Sequence, residues 1–316
     1  MALLGFDLGG TKMLGLALGE TGEILLRKRR KVVEGRDNDA VTAAVGDLLE
    51  KIAAESPEPV TGIGIAVPGP IDFAEGTILE TPNLGLKQLP LRRILEERFN
   101  LPVMLENDVN AGVYGEYRDG AAKGYSHVVG LFPGTGFGGG LILNGRLYRG
   151  ATGGAGEIGH MTIDVGGRRC NCGNFGCLEA LAARSSVAKD LAGAALAGDA
   201  PTVYEEAGSD IGAIRSGTIL RALENGDRAA GPLIHQMAFY LGVGMANCVN
   251  IFDPEIIVVG GGVVEKLGKL LLDPAEQTMR ERALPRLVDH VRVAVAALGD
   301  DATALGAAYL AREEFA

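Results

Sequence analysis

The apolar and polar positions of the chain change their period several times, and each change marks an element. Residues 3 to 34 alternate in three segments, Leu3 to Phe6, Lys12 to Leu18 and Ile24 to Val33, broken at Gly9-Gly10 and at Glu20-Thr21-Gly22. That pattern predicts a β-hairpin or three-stranded meander. Between Asn38 and Ser56 the residues Val41, Val45, Leu48, Leu49 and Ile52 recur at three and four, the period of an amphipathic helix. A buried strand is predicted at Thr61 to Val67, a short hairpin at Asp72 to Glu80 and a turn at Thr81 to Gly85. A helix from Pro90 to Phe99 leads to a strand, Val103 to Glu106, and to a second helix, Val109 to Arg118. Strands at His127 to Phe132 and Leu141 to Leu143 flank a glycine run that turns again at Asn144-Gly145. Helices follow at Ala180 to Leu196, Thr218 to Asn225 and Leu233 to Val249, the last with Gly242 and Gly244 set for close packing. The strand Ile256 to Val259 ends in Gly260-Gly261-Gly262 and opens another helix, and the chain closes with a strand, Val291 to Ala296, and a helix, Asp301 to Glu314. Such alternation is that of an α/β fold.

Length and charge narrow this picture. A chain of 316 residues is long enough for two domains, each with its own core. The net charge of −10 argues against nucleic acid as a partner, because a binder presents a basic face. No stretch reads as a membrane span, and Met1 to Asp7 lacks the basic start and long apolar run of a signal peptide. The 48 glycines sit in turns between hydrophobic segments, which speaks against a low-complexity chain.

Candidate chemistry concentrates between Glu157 and Glu179, where Glu157-Ile-Gly-His160 precedes Cys170-Asn-Cys172-Gly-Asn-Phe-Gly-Cys177-Leu-Glu179. Three of the four cysteines lie within eight residues, with a histidine upstream. One imidazole and three thiolates make a closed tetrahedral zinc site with no position left for water, hence a structural one. The alternatives are buried thiols, or a disulfide with one cysteine left over. Thiols held reduced in a metal cluster fit a cytoplasmic protein. Glu157 and Glu179 bracket the cluster without being needed as ligands, and would face a substrate across a wall that the metal holds rigid.

Two glycine-rich turns read as anion cradles. Asp7-Leu-Gly9-Gly10-Thr11-Lys12 follows the first strand, with Asp7 placed to hold a hydrated Mg2+, and Gly134-Thr135-Gly136-Phe137-Gly138-Gly139-Gly140 repeats the arrangement about 125 residues later, as in a duplicated domain. A plain hairpin is the alternative for the first. At Asn107-Asp108-Val109-Asn110-Ala111 a carboxylate sits where a strand ends and a helix begins, a usual place for a catalytic group and equally for a helix cap.

These stretches together resemble the ROK family of sugar kinases and related repressors. The pattern CxCGxxGCxE is met at every fixed position from Cys170 to Glu179, LENDxNA matches the family's catalytic segment, and DxGGT resembles the phosphate loop of the actin-like ATPase and sugar kinase superfamily. The resemblance spans nearly the whole chain and is greatest to the bacterial ATP-dependent glucokinases. It implies the actin-like ATPase fold, two α/β domains with a cleft between them: residues 1–118 completed by the C-terminal helix at about 300–316, and residues 119–299 with the zinc site. It further implies transfer of phosphate from ATP to the 6-hydroxyl of a hexose, glucose first, with Asp108 as general base. Asn83, Asn107, Glu157, His160 and Glu179 would bind the sugar, and His160, Cys170, Cys172 and Cys177 the zinc. Asp7, Gly9, Gly10, Thr11, Lys12, Gly134, Thr135 and Gly136 would hold ATP and Mg2+, and Gly260, Gly261 and Gly262 the adenosine. A homodimer is expected. Alternatives within the family are other hexoses (N-acetylglucosamine, mannose, fructose, N-acetylmannosamine), polyphosphate as donor, and a sugar-responsive repressor, a role that calls for a DNA-binding domain ahead of Asp7.

Overall fold

The structure, a computed structural model, describes residues 1–32, 37–81 and 84–316. It divides into two compact units: unit 1 is Met1–Gly124, Leu147–Ala155 and Ala297–Ala316, and unit 2 is Tyr125–Arg146 and Gly156–Ala296. The chain begins with β1 (Ala2–Leu8), β2 (Lys12–Leu18), β3 (Ile24–Lys31), α1 (Asn38–Glu55) and β4 (Val60–Val67). Next come β5 (Ile71–Asp72), β6 (Thr77–Thr81), β7 (Leu86–Leu89), α2 (Leu91–Phe99), β8 (Val103–Asn107) and α3 (Asp108–Asp119). β9 (Val128–Pro133), β10 (Phe137–Leu143) and β11 (Arg146–Leu147) precede the helices α4 (Leu178–Ala182), α5 (Arg184–Leu196), α6 (Pro201–Ala207), α7 (Ser216–Glu224) and α8 (Ala230–Phe252). The remainder is β12 (Ile256–Val259), α9 (Gly262–Leu267), α10 (Lys269–Arg282), α11 (Pro285–Val288), β13 (Arg292–Val295) and α12 (Ala302–Glu314).

In unit 1 the sheet order is β3-β2-β1-β4-β8, with β1 to β3 an antiparallel meander and β4 and β8 parallel to β1. The strands nearest the centre are apolar on both faces because both are covered. Helix α1 starts where Asp37 accepts from Ala40 N–H at 2.8 Å, and buries Val41, Val45, Leu49 and Ile52 among Leu4, Phe6 and Ile63. Helix α12 comes close enough that a Cβ on Gly5 or Gly64 would run into the carbonyls of Ala304 or Ala307, and one on Gly306 into the carbonyl of Ala111 in α3.

Unit 2 repeats the plan with the order β11-β10-β9-β12-β13, β9 and β10 antiparallel, β12 parallel to β9 and β13. Its core gathers Leu131, Leu141, Met237, Leu241, Ile257 and Leu271. Gly242 and Gly244 in α8 admit Ala275 and Thr278 of α10 and Leu178 of α4, the close packing read from the sequence. Cys248 is a buried core thiol, pushed up to about 12 by burial.

Several elements differ from expectation. The sequence pattern places a glycine-rich turn ahead of a strand at Leu141, yet Gly138 to Gly140 lie inside β10, paired with β9 from Phe137 to Ile142. A side chain on Gly139 would meet Ile158 and the carbonyl of Gly156, so that glycine serves packing on the strand. The helix Ala180 to Leu196 is two, broken at Ala183 (φ −77°, ψ 151°). The helix after Gly262 is also two, interrupted at Gly268 with φ 51°. β7, β11, α6 and α11 were not foreseen; each is seven residues or fewer, too short to establish a period.

Candidate functional site

In unit 1 strand register brings three chemical groups to one edge of the sheet. Asp7 pairs with Ala66, Ala66 with Glu106, and Val67 with Asn107, so the carboxyl ends of β1, β4 and β8 finish level. Ligands of α/β sheets bind outside such an edge. The Asp7 carboxyl is pushed up to about 7, first by desolvation and then by the negative charge of Asp108. A cation at this edge would relieve both, and a hydrated Mg2+ suits two hard oxygen donors. The turn beyond Asp7 is tight, since a Cβ on Gly9 would stand 2.8 Å from the Lys12 carbonyl. Lys12 itself is ion-paired with Asp300, just ahead of α12.

The β8–α3 junction realises the capping alternative for Asn107. Its Oδ1 accepts from the N–H groups of Val109 (2.9 Å) and Asn110 (3.1 Å), which fixes the side chain and leaves its NH2 as the half not used by the cap. Asp108 opens α3, with Oδ1 accepting from Val109 N–H at 2.9 Å. Beneath them Glu106 is fully buried: Oε1 accepts from Asn107 N–H (2.9 Å) and Asn110 Nδ2 (3.1 Å), and Oε2 from Arg149 Nε (2.6 Å). At the far end of α3 a second fully buried carboxylate, Glu116, accepts from the N–H groups of Ala121, Ala297 and Leu298 at 2.8–3.0 Å. Asn83 lies outside the described residues.

In unit 2 the turn between β9 and β10 is confined to Gly134-Thr135-Gly136, closed by Gly134 N–H to Gly136 O at 2.8 Å. The break at Ala183 brings the first turn of α5 onto it. Arg184 N–H donates to Gly134 O (2.9 Å), an Arg184 NH2 group to Thr135 Oγ1 (3.1 Å), and Ser185 Oγ to Thr135 O (2.5 Å). Gly260 follows β12 with Phe132 and Ala296 filling the space of its missing side chain; Gly261 has φ 93°, and Gly262 opens α9 facing Ser216.

His160, Cys170, Cys172 and Cys177 place one ligand atom each within 4.8 Å of one another. Cys172 Sγ and Cys177 Sγ are 3.7 Å apart, and Cys170 Sγ and His160 Nδ1 are 3.7 Å apart. A disulfide needs about 2.0 Å, whereas two thiolates at 2.3 Å from one tetrahedral zinc stand about 3.8 Å apart. The donor set therefore fits zinc, through Nδ1 of the imidazole. The backbone is folded for it: Cys170 N–H donates to Asn174 O (2.8 Å), and Ile163 N–H (2.9 Å) and Asp164 N–H (3.2 Å) both donate to Gly176 O, with Gly173 and Gly176 at φ 97° and 71°. Burial pushes the Cys170 thiol up to about 12, so a bound cation is what would keep it ionised. The other imidazole nitrogen, Nε2, is 3.8 Å from Glu157 Oε2, and both groups are exposed enough to meet a ligand. Glu179 accepts from Phe137 N–H at 3.0 Å through Oε2 while Oε1 stands 3.4 Å from Cys170 Sγ, tying the strand that follows the Gly134–Gly136 turn to the Cys/His cluster.

Glu106, Glu116, Arg149, Arg184 and Ser185 are site residues beyond those expected from the sequence. Glu106 had a signal, a carboxylate ending the apolar run Val103-Met104-Leu105; the others act through folded contacts that no spacing announces. Against known proteins, the model of the ROK family matches residues 3–314. The chain belongs to the ROK family. A glucokinase of Halalkalibacterium halodurans is 34% identical, over 98% of this chain and 95% of that protein. A xylose repressor of Caldicellulosiruptor bescii is also 34% identical, over 96% of this chain and 76% of the repressor. The crystal structure of a Streptomyces griseus ROK glucokinase, in complex with glucose and AMPPNP, superimposes with a TM-score of 0.82 at 32% identity, covering 99% of this chain and 100% of that one. The α/β architecture, two five-stranded sheets and the small sheet β5-β6-β7, is thus that of the ROK sugar kinases, the actin-like ATPase fold. Among the described residues no helix is long and apolar enough to cross a membrane.

Proposed function

We propose that this ROK protein is an ATP-dependent hexokinase that phosphorylates the 6-hydroxyl of glucose. The observation that carries the reading is the sheet edge of unit 1, where Asp108 opens α3 close enough to Asp7 for the two charges to be felt. One of these carboxylates is suited to a cation and the other to a proton. Phosphoryl transfer asks the protein for positioning, charge neutralisation and a base. Asp108 takes the proton of the hexose hydroxymethyl group as its oxygen forms the new bond to the γ-phosphorus; the bond from that phosphorus to the bridging oxygen breaks, and ADP leaves. Mg2+, oriented by Asp7, would neutralise the phosphate oxygens. The turns at Gly9, Gly10, Thr11 and Lys12 and at Gly134, Thr135 and Gly136 would cradle the phosphates, and Gly260 to Gly262 would present a bare backbone to the adenosine. Sugar hydroxyls would be read by Asn83, by the Asn107 amide, by Glu157 and Glu179, and by His160 Nε2, whose ring a zinc held at Nδ1 would orient.

Asp108→Asn tests the assignment. Turnover is expected to fall by about 10³-fold or more, with glucose affinity within a few-fold of wild type and one zinc per chain in both proteins by elemental analysis. Near wild-type kcat in this variant would remove the base. A homodimer belongs to the same reading and is checked by light scattering. The xylose repressor, as similar as the glucokinase, favours a second reading, sugar sensing without turnover. ADP release with a hexose separates the two.

A further inference from the structure

We infer that Glu106 and Arg149 are a positioning pair that holds the β8–α3 junction, and with it the proposed base Asp108, to the segment 147–155. Glu106 has 0% exposure and spends both oxygens: Oε1 on Asn107 N–H and Asn110 Nδ2, Oε2 on Arg149 Nε at 2.6 Å. The peptide N–H it holds is that of the residue capping α3, so the direction in which Asn107 and Asp108 leave the strand is set from below by this carboxylate. Arg149 comes from a short excursion of the chain into unit 1, Leu147–Ala155, which carries three glycines, Gly150 and Gly153 at φ 73° and 83°. The excursion closes on itself through Ala155 N–H to Arg149 O at 3.0 Å, and two residues after Ala155 the chain reaches Glu157. One ion pair thus joins the base-bearing junction to the strand of chain that ends at a proposed sugar ligand. The fully buried Glu106 carboxylate is left uncompensated when it loses its cation, while removing both charges together relieves that cost. The pair therefore predicts strong non-additivity.

This inference rests on Asp108 as base, and the experiment keeps the two apart. Glu106→Gln keeps an acceptor for Asn107 N–H and drops the charge; Arg149→Met keeps the stem and drops the guanidinium; Arg149→Lys keeps the charge. Each is measured with the double variant Glu106→Gln/Arg149→Met and with Asp108→Asn, as kcat and KM per folded molecule, with melting temperature and zinc content. For a displaced base kcat is expected to fall by roughly tenfold to 100-fold in each charge-removing single variant. KM for ATP should stay within about twofold, the double variant should be no worse than the poorer single one, and Arg149→Lys should recover part of the loss. A purely structural pair would lower the melting temperature and leave kcat per folded molecule unchanged, which overturns the proposal. So would losses that simply add. Inactive Asp108→Asn with unaffected pair variants removes the pair alone, and active Asp108→Asn removes the base whatever the pair does. Should no sugar be turned over, the same cycle is read as glucose and xylose affinity by calorimetry, where additive or absent effects are equally fatal.

Discussion

Asp7 shows how a single desolvated carboxyl can cost the fold stability. Its carboxyl is raised from the ordinary range to about 7 by desolvation and by the Asp108 charge, with Lys12 opposing. A carboxylate with a folded pKa above its unfolded value binds protons more tightly in the native state. Stability tied to the protonated form is then fully present below about pH 4, and is lost as the pH rises through about 7. Replacing Asp7 by Asn removes that loss. In buffer without Mg2+ or nucleotide, Asp7→Asn is expected to be more stable than wild type at pH 8 by on the order of 1–3 kcal/mol, with no advantage at pH 4. Thermal melts at the two pH values check the sign; a variant destabilised at pH 8 contradicts it. The same variant should lose turnover, since the group that costs stability is the one proposed to orient the metal.

At the scale of elements, helix α12 shows most clearly what holds unit 1. It meets β1, β4 and α3 through glycines and alanines, and Gly306 lies so close to the carbonyl of Ala111 that no side chain fits. Close backbone approach of this kind cannot be relieved by rotating a side chain. Gly306→Ala is therefore expected to cost about 2–4 kcal/mol although alanine favours helix; a melting temperature at or above that of wild type would show that α12 can shift. Patterns with a clear period were legible here. The meander, α1, α8 and the strands ending at Val67 and Val259 could be read from apolar spacing, and the Cys/His cluster from cysteine spacing. What the sequence hid was relational. Gly138 to Gly140 sit in a strand because Ile158 packs on it, Ala180 to Leu196 breaks at Ala183 where Arg184 and Ser185 reach Gly134 and Thr135, and Glu106 finds Arg149 across 43 positions. Local periodicity carries none of these contacts, because each depends on a partner supplied by another part of the fold.

Charge across the whole molecule is negative, a net −10, and its strongest basic run is largely paired within unit 1. In the strongly basic run Arg27 to Lys31 of the edge strand β3, four cations are spent on acids of their own unit: Arg27 on Asp301 (2.7 Å), Lys28 on Glu55 (2.6 Å), Arg29 on Asp300 (3.2 Å) and Arg30 on Asp47 (3.8 Å). Cations on an edge strand also discourage pairing with another sheet. The chain corresponds to nearly all of the glucokinase it resembles and to about three quarters of the xylose repressor, so the choice between catalysis and sensing falls to the sugar itself. Glucose and xylose share the ring hydroxyls that amide, carboxylate and imidazole groups can read, but only the hexose has the exocyclic carbon whose hydroxyl a base at Asp108 would deprotonate. With ATP and Mg2+, glucose is expected to release ADP at least about 100-fold faster than xylose, because a site arranged around a reacting hydroxyl gains nothing from a sugar that lacks it. Xylose should nonetheless compete with glucose, raising its apparent KM and leaving kcat unchanged. Tight xylose binding together with no ADP from any hexose would assign the chain to sensing, and equal turnover of both sugars would show that the acceptor is a ring hydroxyl.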